Sequence, residues 1–234
     1  MKKIGIIGGM SYESSIHYYE RINDGVNKKL GGLTCAEMLI YNVNFAPIRE
    51  KMLKNDWEGI KNSLIPIAKT LEIAGVDAIA IATNTIHKIA DDIEKEISIP
   101  LIHLADCVSK NCIKDKKQKI GLLGTKYTME EDFLKDRLKK NGLEIVIPKS
   151  KEEIEEINRI IFDELCKGKI KEASKNYYID CINQMIKEDN IEGVILGCTE
   201  IQMLIKDKDI DIPVYDTTQA HIDSLVDFIT GEKN

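Results

Sequence analysis

Two short stretches carry the residue types from which proton-transfer chemistry can be built. GVILGCTEI, residues 193–201, places Cys198 directly after an aliphatic run and ahead of the polar residues Thr199 and Glu200. DAIAIATNTIH, residues 77–87, ends a similar run on Thr83, Asn84, Thr85 and His87. At the carboxyl end of a parallel strand the following helix presents free backbone N–H groups and its positive dipole end, so ligands gather there. A thiol in that place is expected to have a lowered pKa and a larger reactive thiolate fraction. The competing reading of Cys198 is a small buried residue that closes a strand; Thr199 and Glu200, which suit an entrance to a pocket, weigh against it.

A third stretch, Gly8-Gly9-Met10-Ser11, follows the first aliphatic run. Its spacing fits neither G-x-G-x-x-G nor the P-loop, so it reads as a tight strand-to-helix turn that touches a small carboxylate rather than a nucleotide. His87 lies four residues after Thr83. With a helix beginning near Asn84 the two share a face, where the histidine either tunes the site or is a satisfied structural group. His17, His103 and His221 have no spacing that suggests a metal, and the six cysteines include no C-x-x-C pair. They read as free thiols of a reducing compartment.

The elements that must position these residues alternate between strand-length aliphatic runs and helical stretches, the pattern of βα units around a parallel sheet. Strands are predicted at 3–8, 36–44, 77–83, 100–104, 119–124, 143–148, 192–198 and 212–217. KIGIIG at Lys3 and KIGLLG at Lys119 match 116 residues apart, VDAIAIATNT at Val76 and IEGVILGCTE at Ile191 match 115 apart, and Ile99-Pro100 matches Ile212-Pro213 113 apart. Three matches in order imply a duplication. It predicts two similar parallel-sheet α/β lobes with a pseudo-twofold relation and a site in the cleft between them. The first lobe is expected over 1–105 plus 216–234 and the second over 106–215, with the crossover near 115–118. Thr83 then stands opposite Cys198. In the second half, Ser150-x-x-Glu153 has capping-box form, with Ile154, Ile157, Ile161 and Leu165 at helical spacing up to Gly168. A following stripe of Ala173, Tyr177, Cys181 and Met185 makes Cys166 and Cys181 look like packing residues.

The 234 residues are 43% hydrophobic and 31% charged, with net charge −6 and no clustered basic face, so nucleic acid is not an expected partner. The apolar run at the N-terminus is too short for a signal-peptide core or a membrane span, which predicts a cytoplasmic protein with no membrane partner.

With Thr83-Asn84-Thr85-Ile86-His87 and Gly197-Cys198-Thr199-Glu200 at equivalent strand ends, and the opening I-G-I-I-G-G-M-S, the chain resembles the aspartate/glutamate racemase family over nearly its whole length. The resemblance implies two α/β lobes, a homodimer, an acidic amino acid as the small-molecule substrate, and no pyridoxal phosphate, metal or other cofactor. Racemisation needs a proton removed from one face of Cα and one delivered to the other. The family pattern has a cysteine for each, and here Thr83 replaces the first. The resemblance therefore implies that Cys198 deprotonates the L-enantiomer while Thr83, a poor base, serves the opposite face, biasing the reaction from L to D. Met10, Ser11, Asn84, Thr85, Thr199 and Glu200 are the implied substrate contacts, with Arg49 or Lys167 as the cation for a second carboxylate. Single-cysteine decarboxylation or isomerisation of small dicarboxylic acids, and non-catalytic binding of an acidic amino acid, are the competing functions.

Overall fold

The computed structural model describes residues 1–232, so Lys233 and Asn234, which the first lobe is expected to include, lie outside them. The chain divides into two compact units, one made of Met1–His103 with the chain from His221 on, the other of Leu104–Ala220.

The first unit runs β1 (Ile4–Gly8), α1 (Tyr12–Leu30), β2 (Met38–Asn42), α2 (Phe45–Leu53), α3 (Trp57–Ile73), β3 (Ala78–Ile81) and α4 (Ala90–Glu94). Its three strands are parallel in the order β2-β1-β3. Side chains alternate across a strand, so Ile7, Ile79 and Ile81 pack under α2, α3 and α4 while Ile4, Ile6, Ala78 and Ala80 face Tyr18, Ile22 and Val26 of α1. Both faces are covered, which is why the strands read as unbroken aliphatic runs.

The second unit runs α5 (Leu104–Lys114), β4 (Lys119–Gly124), α6 (Lys126–Glu130), α7 (Asp132–Lys140), β5 (Glu144–Val146), α8 (Lys151–Asp163), α9 (Glu172–Asp189), β6 (Gly193–Gly197), β7 (Val214–Asp216) and α10 (Thr217–Thr230). The last ten residues of α10 are counted with the first unit, where Ile222, Leu225, Val226 and Ile229 join the Ile4 and Ile6 cluster. Its sheet is parallel in the order β5-β4-β6-β7, so β5-β4-β6 repeats the order β2-β1-β3. Ser150 and Glu153 form the expected capping box at the start of α8.

Four expectations are corrected. The run at 100–104 is not a strand: only Leu101 bridges to Ile79, held by Ile79 N–H on the Pro100 carbonyl and Ile102 N–H on the Ile79 carbonyl. Pro100 has no N–H for a longer ladder, the Ile102 carbonyl is taken by His221, and Leu104 already starts α5. The turn at 115–118 closes α5 within the second unit, and the chain passes between units at His103–Leu104. The buried stripe of α9 is Ser174, Tyr178, Cys181, Ile182 and Met185, one position on from the expected one at its start, leaving Ala173 exposed. Cys166 is exposed instead of packed, because α8 ends at Asp163 and a single 3₁₀ turn, Leu165–Lys167, turns it outward before Gly168 stops the chain in the left-handed region at φ 67°.

Candidate active site

Thr83 and Cys198 each lie just beyond the carboxyl end of a parallel strand, β3 and β6, and each of these pairs with its unit's first strand, β1 or β4, in the same way. The match extends to the backbone: Ile79 N–H donates to the Pro100 carbonyl and Val194 N–H to the Pro213 carbonyl. In the first unit no α-helix begins at Asn84. A 3₁₀ segment, Thr85–Ile89, precedes α4, and within it His87 Nδ1–H donates to the Thr83 carbonyl at 2.8 Å. The histidine thereby fixes the backbone of the Thr83 turn. Asn84 is 7% exposed, and its Oδ1 has no hydrogen-bond partner among the described residues. Buried amide oxygens are normally paired, so this one is a ready acceptor for a ligand group.

Three further residues converge beneath this turn. Tyr18 O–H donates to His221 Nδ1 at 2.8 Å, and His221 Nε2–H donates to the Ile102 carbonyl at 2.7 Å. Burial lowers the His221 pKa to about 4, so the ring is neutral and can hold this pair of bonds. The His103 ring lies edge-on to His87 with centroids 4.5 Å apart, and the His221 ring is 6.0 Å from His87. Sequence spacing hides this group because its members come from α1, α10 and two connecting segments. The available signal is that Tyr18 and His221 each fall on the apolar stripe of their helix, beside Ile22 and Ile222.

Gly9 is required by the first turn. It has φ 88°, and a Cβ there would collide with the Val43 carbonyl oxygen. Its N–H donates to Ser15 Oγ at 2.8 Å, and Ser11 caps α1 by accepting from Ser14 N–H. Met10 is buried and Ser11 half-buried. Arg49, on α2, is exposed and has no ion-pair partner among the described residues.

In the second unit Cys198 is not at the start of a helix: a turn follows, then a three-residue 3₁₀ segment, Ile201–Met203. The expected lowering of its pKa is therefore corrected. So short a segment has little dipole to offer, and burial, the negative charge of Glu200 and the Glu200 hydrogen bond push the thiol well above its ordinary range. Cys198 S–H donates to Glu200 Oε2 at 2.9 Å, and Thr199 O–H donates to the same oxygen at 2.6 Å. Glu200 and the Thr199 hydroxyl thus face Cys198 and each other. Lys167 is exposed and paired with Asp163 at 3.1 Å. Its turn is held by the buried Glu164, which receives Ser174 O–H at 2.6 Å, Arg159 at 2.9 Å and Lys171 at 3.1 Å. The Ser174 bond, then Lys171 and Arg159, bring the Glu164 pKa down to about 2.

Two open parallel sheets, each with a reactive-type side chain beyond the equivalent strand, define a duplicated α/β enzyme of the kind that works at strand ends. The chain belongs to the Asp/Glu/Hydantoin racemase family, whose model matches residues 7–225, and it is an amino-acid racemase of the pyridoxal-phosphate-independent kind. A crystal structure from Yersinia pestis, described as a candidate Asp/Glu racemase, is 42% identical with TM-score 0.94, covering 98% of this chain and 100% of that one. An aspartate racemase homologue from Pyrococcus horikoshii is 40% identical with TM-score 0.86 over the same shares. The broad specificity amino-acid racemase of Bacillus subtilis is 24% identical over 229 residues, 95% of this chain and 96% of that protein. Among the described residues no helix is long and apolar enough to cross a membrane, and no cluster of His, Cys, Asp or Glu could hold a metal ion.

Proposed function

We propose that the protein racemises aspartate and/or glutamate by two-base proton transfer, with Cys198 taking the α-proton of the L-enantiomer and Thr83 serving the opposite face. The observation that carries this reading is the equivalence of the two residues: each follows the strand that pairs in parallel with the first strand of its sheet, β3 on β1 and β6 on β4. Backbone N–H groups of Met10, Asn84, Thr85 and Thr199 are suited to hold the α-carboxylate where negative charge develops as the proton leaves. The unpartnered Asn84 Oδ1 is suited to accept from the substrate ammonium. Arg49 is the better choice for the side-chain carboxylate, because Lys167 is engaged by Asp163. A hydroxyl ionises far less readily than a thiol, so Thr83 relays a proton but abstracts one poorly, and α-proton exchange is expected to be faster from the L-enantiomer than from the D-enantiomer.

A second reading has an observation in its favour. A thiol held protonated beside a carboxylate is a proton donor, which suits one-faced protonation after decarboxylation or during isomerisation of a small dicarboxylic acid. Proton NMR of each enantiomer of both amino acids in D₂O separates the two. Loss of the α-proton signal from the L-enantiomers, abolished in Cys198→Ala and followed by D-product, is the expected result. Exchange that persists at full rate in Cys198→Ala removes the cysteine from the mechanism, and inert amino acids with turnover of malonate-type acids replaces racemisation with the second reading.

A further inference from the structure

We propose that Glu200 is the proton acceptor for the Cys198 thiol, so that the working base is the Cys198–Glu200 pair and Glu200 is a positioning residue acting through sulfur. The inference rests on the racemase reading above and changes the part given to Glu200, from a substrate contact to a partner of the base.

Three observations converge on it. The Sγ–Oε2 distance is 2.9 Å, within reach for direct transfer. The carboxylate cannot swing away freely, because Thr199 O–H holds the same oxygen at 2.6 Å and Met203 N–H anchors the Glu200 carbonyl at 3.0 Å. Burial, then the charge and side-chain hydrogen bond of Glu200 and the nearby Cys166, disfavour a resting thiolate on Cys198, and of the causes acting on it only the backbone N–H of Glu200 favours one. In a site with two cysteines one can rest ionised while the other rests protonated. Here the counterpart is Thr83, whose hydroxyl also rests protonated, so a negative charge able to receive a proton must come from elsewhere. Glu200 carries it.

The proton balance is simple. The Cys198 S–H bond breaks and an O–H bond forms on Glu200 Oε2, leaving a thiolate. The thiolate electron pair takes the α-proton and re-forms S–H, while the Cα–H electron pair passes into the carboxylate-conjugated enediolate. The opposite face receives a proton from solvent through Thr83, and Glu200 returns its proton to solvent. The thiol–carboxylate and thiolate–carboxyl forms have equal net charge, so their ratio does not vary with pH in the neutral range. A lone thiol must lose its proton to solvent instead, and its thiolate fraction rises about tenfold per pH unit below its pKa.

Glu200→Gln separates these cases, since glutamine keeps a hydrogen-bond acceptor but cannot take the proton. Two rates are read from about pH 6 to about pH 9: α-proton exchange of L-substrate, and, without substrate, alkylation of Cys198 by iodoacetamide located by peptide mass spectrometry with Cys198→Ser as control. The wild type is expected to be flat across neutral pH in both. Glu200→Gln is expected to exchange about 100-fold more slowly near neutral pH, with KM little changed, and to climb with pH in both rates. Glu200→Asp, which keeps an ionisable group, should retain the flat shape at a lower rate. A flat profile in Glu200→Gln, at full or reduced rate, overturns the proposal. Absence of exchange in the wild type sinks the racemase reading alone, because the alkylation profiles still decide the role of Glu200.

Discussion

Replacing Glu164 by Gln removes a charge that is almost wholly buried but whose cationic partners reach solvent, so its effect has a magnitude and a pH window. The carboxyl is carried from its usual 4.5 to about 2, chiefly by Ser174 O–H and then by Lys171 and Arg159. At about 1.4 kcal/mol per pH unit, that is an upper limit of about 3 kcal/mol. Arg159 and Lys171 are 44% and 56% exposed, and screening by solvent reduces the figure by roughly half, to about 1.5 kcal/mol. Because the folded pKa is depressed, this stabilisation is fully present above the usual 4.5 and lost as pH falls through about 2. Urea unfolding followed by far-ultraviolet circular dichroism should therefore show wild type and Glu164→Gln separated by about 1.5 kcal/mol at neutral pH and converging in acid. A gap that is absent at neutral pH, or that persists undiminished at pH of about 2, would refute the assigned origin.

Two further outcomes are expected. On the proposed reading Thr83→Cys supplies a thiol on the face that deprotonates the D-enantiomer, so α-proton exchange of the D-enantiomer in D₂O, followed by proton NMR, should rise at least about tenfold; an unchanged D-enantiomer exchange rate would remove Thr83 from the opposite face. His221 is buried and neutral with a pKa lowered to about 4, so as pH falls below about 6.5 the unfolded chain binds a proton that the folded chain refuses. Stability should fall by about 1.4 kcal/mol per pH unit from there to about pH 4, a slope that urea unfolding should find missing in His221→Gln.

What the sequence exposes and what it hides divide along a physical line. β1, β3, β4 and β6 are legible because both faces of each are buried and the aliphatic runs are unbroken. The α8 capping box is legible because it is made of residues three apart. The run at 100–104 has strand composition, yet tertiary bonding to His221 and the start of α5 cut it to one bridge. The thiol of Cys198 shows the same limit: its position after a strand can be read, but the sign of its pKa change depends on its burial and on a carboxylate two residues away folding back onto it. Glu164 left a trace, a charge on the apolar face beside Ile160 and Ile161. Only its partners, spread over α8, α9 and the segment before α9, explain why it is tolerated.

The division of α10 sets an order of assembly. Chains emerge from synthesis N-terminus first, and domains generally fold in that order. Here the second unit is one contiguous segment, whereas the first is completed only when Ile222, Leu225, Val226 and Ile229 arrive to cover Ile4 and Ile6. The part made first is thus the part finished last. Until residue 229 is available, one side of the opening sheet lacks an apolar cover, so a nascent or truncated chain ending at Ala220 carries a complete second unit and an open, aggregation-prone first one.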